Sequence, residues 1–63
     1  MRKHQIKLNR AIERFRYAKG LIEVEEAYMS ILSASKGYMW DSYVKDKVAV
    51  ISAAFNQIKK GLI

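Results

Sequence analysis

The chain has 63 residues, a net charge of +6 from twelve Lys or Arg against six Asp or Glu, and neither cysteine nor proline. Those totals leave no room for a second domain, a disulfide framework or a large catalytic architecture, and residues 1–63 are read as a single helical domain. A chain this short buries only about 60% of the surface its unfolded form exposes. Self-association is then the common way to complete the core, and an apolar content of 51% fits it.

The longest uncharged run, Val48 to Ile58, has eleven residues, whereas a membrane-spanning helix needs about 20. The basic start, Met1 to Gln5, is followed by no apolar run of the kind a secretory signal requires. A cytoplasmic protein without integral membrane association is therefore expected. Charge is unevenly distributed. Residues 1–19 hold seven bases and one acid, residues 20–35 three acids and no base, and residues 36–63 five bases and two acids.

In chain order, residues 4–19 have helical periodicity. Leu8, Ala11, Ile12, Phe15 and Ala18 recur at spacings of three and four. Lys3, Lys7, Arg10 and Arg14 form a second stripe beside them. Such a stripe is either a solvated flank or a surface for an acidic partner.

Gly20 is the first ambiguity. Lys-Gly-apolar triplets at 19–21, 36–38 and 60–62 look like three helix stops, because glycine tolerates the left-handed conformation that ends many helices. Against a stop at Gly20, no Ser, Thr, Asp or Asn follows to cap a new helix. The ladder Tyr17, Leu21, Val24, Tyr28, Ile31 also crosses the glycine in phase, and Lys19 and Glu23 stand at i, i+4. These signals predict one long helix over about 4–35, bent at Gly20, with a three-helix domain broken at Gly20 as the alternative.

Leu21, Val24, Tyr28, Ile31 and Leu32, widened by Ile22 and Met29, give this segment an apolar side that one partner helix cannot cover. Ser33, Ser35, Lys36 and Gly37 predict its end, and Asp41 is a candidate cap for the next helix. That second helix is predicted over about 41–60. Val44, Val48, Ile51, Phe55, Ile58 and Leu62 form a heptad seam, with Trp40 and Tyr43 extending the apolar side near the turn. The expected fold is thus all-α, a helical hairpin dimerising into a four-helix-type bundle. Its candidate dimer interface is Arg14, Gly20, Ile22, Glu25, Met29 and Leu32. In that arrangement two long helices cross near Gly20, and Arg14 and Arg16 meet Glu25 and Glu23 of the second copy.

No catalytic constellation, metal-ligand spacing or phosphate loop is present, and no cofactor is expected. His4 has no carboxylate or thiol at a useful sequence spacing. The segment after Gly37 matches a recognition helix poorly, because Trp40, Tyr43 and Val44 read as core. The expected function is a small non-enzymatic regulator, of the size of phage or plasmid accessory proteins, that binds a protein partner as a homodimer. Phe15, Tyr17 and Tyr38 are candidate anchors for that contact. The alternative is sequence-independent nucleic-acid binding through Lys3, Lys7, Arg10, Arg14, Arg16 and Lys19.

Overall fold

A computed structural model describes residues 1–61 as three helices, α1 (Lys3–Arg16), α2 (Leu21–Ser35) and α3 (Ser42–Gly61), with no strand among the described residues. None of these helices is long and apolar enough to cross a membrane.

α1 starts with Gln5 reaching back, its Oε1 accepting from the Arg2 backbone N–H at 3.3 Å. This is the reciprocal half of a capping box. The last turn of α1 carries Arg14 and Arg16, the charge sign that the C-terminal end of a helix favours. Tyr17 then leaves helical geometry, at φ −102° and ψ 12°.

The continuous helix expected over 4–35 is not formed. The chain breaks at residues 17–20 and α1 folds back against α2, as in the three-helix alternative. Two local interactions explain why the sequence signals misled. Gly20 is extended, at φ −179° and ψ 168°, and its carbonyl accepts from Val24 N–H at 2.9 Å as the first bond of α2. Glu23 ties the link to the new helix, which has no side-chain cap. Its Oε2 accepts from the Lys19 backbone N–H at 2.7 Å, so the 19/23 pairing closes a helix start and not a helix interior. A carboxylate in a first turn is also favoured by the helix dipole.

The unbroken ladder resolves into different environments. Tyr17 is 77% exposed and Leu21 is exposed, whereas Val24 and Ile31 are buried. Folding back is favoured because it buries Leu8, Ile12 and Phe15 against Val24, Ala27 and Ile31 of the same chain. Each fully buried aliphatic or aromatic side chain contributes about 1.5–3 kcal/mol. Phe15, considered as an exposed anchor, is a core residue.

α2 ends as its composition predicts. Lys36 turns extended and Gly37 adopts φ +85°, the one left-handed residue among those described. Tyr38 N–H then bonds back to Ser35 C=O at 3.0 Å. Buried Ser35 satisfies its hydroxyl on Leu32 C=O at 2.9 Å.

α3 begins one residue later than expected, capped by Asp41. Its Oδ1 accepts from Tyr43 N–H and its carbonyl from Lys45 N–H, both at 3.0 Å. The heptad seam faces inward. Val44, Val48 and Ile51 are buried and Phe55 and Ile58 are packed against them, while Leu62 lies outside the described residues. Tyr28 joins α2 to α3 by stacking on Phe55 at 4.2 Å between centroids and by a 2.9 Å bond to the Ser52 hydroxyl. Tyr43 joins α3 to α1 by donating to Asn9 Oδ1 at 3.0 Å. α1 and α2 share the most extensive packing, and α3 leans mainly on α2.

Candidate functional site: a basic groove and an aromatic clasp

Lys3, Lys7, Arg10 and Arg14 recur at four, three and four along α1, which places them on one side of the helix over about 16 Å. Lys7, Arg10 and Arg14 line a shallow groove of about 450 Å³ between α1 and α2, floored by Ala11 and Ala34 and faced by the hydroxyl-bearing residues Ser30 and Ser33. At the α1 N-terminus the groove continues past Lys3 and His4 to Tyr38. At the other end Arg14 opens onto a depression lined by Tyr17, Glu23 and Glu26, so the groove runs from basic to acidic.

Among the described residues no lysine or arginine forms an ion pair within 4.0 Å; the sole bridge recorded is His4 with Asp41. The stripe is therefore uncompensated. The Ser30 hydroxyl donates to Glu26 C=O at 3.1 Å, which leaves Ser33 beside the cations; such a row can accept phosphate or carboxylate groups of a polyanion.

The other two residues expected in this set stand apart. Arg16 projects from the opposite flank of α1 at about 100° per residue. Lys19 sits exposed in the α1–α2 link, engaged through its backbone N–H.

The expected dimer-interface set divides likewise. Ile22, Glu25, Met29 and Leu32 share one exposed face of α2. Arg14 lines the groove, and Gly20 is in the link. The helix crossing that would have brought Arg14 to Glu25 and Arg16 to Glu23 of a second copy required a continuous 4–35 helix, and the break removes it.

The sequence reading missed a clasp at the N-terminal end of the groove. His4 Nε2 lies 2.8 Å from Asp41 Oδ2, and Gln5 Nε2 donates to the same oxygen at 3.0 Å. The imidazole stacks on Tyr38 at 4.2 Å with planes 7° apart. Trp40, expected in the core, is 67% exposed. Its indole N–H donates to Gly37 C=O at 2.9 Å and its ring lies 6.0 Å from the Arg2 guanidinium. The His4 and Gln5 hydrogen bonds hold the Asp41 carboxyl below the usual carboxylate value, against the opposing effect of burial.

Asp41 orients the imidazole as the carboxylate of a catalytic triad would. Among the described residues, however, no hydroxyl or thiol is hydrogen-bonded to His4, so the pair has an orienting group and no nucleophile. No group of three or more His, Cys, Asp or Glu side chains is gathered among the described residues to hold a metal ion. The region presents cations, hydroxyls and exposed aromatic side chains side by side.

No protein-family model, curated protein or solved structure matches the chain.

Proposed function

We propose that this protein is a non-enzymatic binding module that grips a nucleic-acid backbone through the α1 stripe. The observation that carries the reading is the row Lys3, Lys7, Arg10 and Arg14, without an ion pair within 4.0 Å among the described residues, along a groove that also presents Ser33. At about 3.4 Å of rise per nucleotide, a row of about 16 Å tracks about five phosphates of one strand. Trp40, 67% exposed at the Lys3 end, offers a surface on which an unpaired base stacks, beside Tyr38, which is stacked on His4. No helix presents a pattern for reading base edges, so recognition is of backbone charge and strand form.

The test is fluorescence anisotropy with labelled single-stranded and duplex oligonucleotides across a salt series. Four phosphate contacts give a slope of log K against log salt of about −2.8 for single strands and about −3.6 for duplex. Lys7→Glu with Arg10→Glu is expected to weaken binding to every sequence alike and to flatten the slope by at least the two lost contacts. Binding unchanged in that variant removes the stripe from the function.

A second reading draws on a different surface. α2 turns Ile22, 75% exposed, and Met29, 64% exposed, into solvent together with Leu32. Apolar side chains gathered on one helix face favour a protein partner. On this reading the chain is a regulator that works as a homodimer and docks through α2.

A further inference from the structure

We infer that the outward face of α2 is the seat of a second copy of this chain, laid antiparallel about a two-fold axis between Ser30 and Ile31. The inference deepens the second reading above by naming the occupant and its register, and it does not depend on nucleic-acid binding.

The face is a seam of Ile22, Glu25, Met29 and Leu32, at spacings of three, four and three, and Lys36, the residue that ends the helix, follows Leu32 by four positions. Its middle is apolar and its ends are oppositely charged. Glu25 and Lys36 are both exposed, and neither has an ion-pair partner within 4.0 Å among the described residues.

Sequence spacing makes the seam complementary to its own reversed copy. When Met29 faces Leu32 of the second copy, Glu25 faces the second copy's Lys36, and the two-fold axis repeats both contacts. A parallel pairing would set Glu25 against Glu25 and Lys36 against Lys36, which is repulsive at both ends. The seam from Ile22 to Lys36 extends about 21 Å. Beyond its charged ends, Leu21 and Ile22 run toward the turn of the second copy, where Met39 and Trp40 are exposed. An apolar centre closed by a charged rim is the usual layout of a protein–protein contact.

The basic groove lies on the other flank of α2, lined by Ser30, Ser33 and Ala34.

Sedimentation velocity of the full chain from about 1 to about 300 μM reads the oligomeric state over the range of a micromolar dissociation constant. Glu25→Lys and Lys36→Glu, each alone, are expected to weaken the dimer at least about tenfold, because each sets like charges together twice per dimer. The doubly swapped variant is expected to return to within about threefold of the parent. Far-UV circular dichroism checks that the exposed substitutions leave the helices intact. A parent chain that stays monomeric at the highest concentration overturns the inference. So does a dimer indifferent to either single swap, which places the interface elsewhere, and so does a double swap without recovery, which rejects the antiparallel register.

Discussion

At the scale of single residues, Asp41 does the most. One carboxylate oxygen caps α3 and the other receives His4 and Gln5 from the start of α1. Those bonds favour the ionised form, so its pKa is lower folded than unfolded. A lowered carboxylate stabilises the fold fully above its unfolded value, about 3.9, and loses that contribution as pH falls through the lower folded value. Asp41→Asn should therefore lower Tm at pH 7, and the difference from the parent should shrink as pH drops below about 4. Thermal melts across pH 2–7 measure this, and a gap that persists undiminished at pH 2 would assign the effect to something other than the charge. Part of this arrangement was legible in the sequence. Asp41 stands ahead of an apolar seam, which is a cap signal. Its partners were not legible, because His4 and Gln5 lie 37 and 36 residues away and a contact across that separation leaves no periodic trace.

At the scale of elements, the two interior glycines act differently. Gly37 needs its left-handed backbone, at φ +85°, while Gly20 is extended and open around its Cα. Gly37→Ala should cost about 1–2 kcal/mol from the conformation alone. Gly20→Ala should cost less than about 1 kcal/mol, the loss of a good N-cap residue. Urea denaturation of both variants compares them, and equal losses would contradict the different backbone roles. The contrast shows which helix ends a sequence announces. The end of α2 combines serines, a lysine and a glycine that must turn left-handed, and the α3 seam repeats without interruption to Ile58. The α1–α2 break has the same lysine and glycine, but no serines, and its glycine is extended. The start of α2 has no side-chain cap, the Glu23 that bonds back to Lys19 also suits a helix interior, and in-phase apolar residues continue across the break. Only the gain from packing α1 on α2 decides between bending and breaking, and that gain is tertiary.

For the whole molecule, the ten buried apolar residues among those described form one cluster drawn from all three helices. Ile31 is fully buried at its centre, beside Leu8 and Val44. Ile31→Ala should cost about 2–5 kcal/mol. A 63-residue fold has about 3–9 kcal/mol in total, so the variant should lose a large share of its stability and melt well below the parent by circular dichroism. A cooperative melt close to that of the parent would mean that the core is not organised around this position. The molecule spreads its charged and apolar outer surfaces over separate flanks, with the basic groove between α1 and α2 and the apolar seam on the far side of α2. The sequence displayed both sets of residues. What it could not display was their separation, because a continuous helix would have put Arg14 and Glu25 on one surface, and the fold-back turns Arg14 into the groove.

Trp40 is the single tryptophan of the chain, and it sits outside the core, over the clasp. The protein thus carries its own optical label at the clasp and no tryptophan in the core. Its indole lies 6.0 Å from both the His4 ring and the Arg2 guanidinium, so its emission senses the seating of the first residues on the 36–41 turn. Helix content, read by circular dichroism, follows the cluster around Ile31. The two signals report on different parts of one small molecule, and their comparison at a single wavelength pair separates the closing of the clasp from the melting of the core.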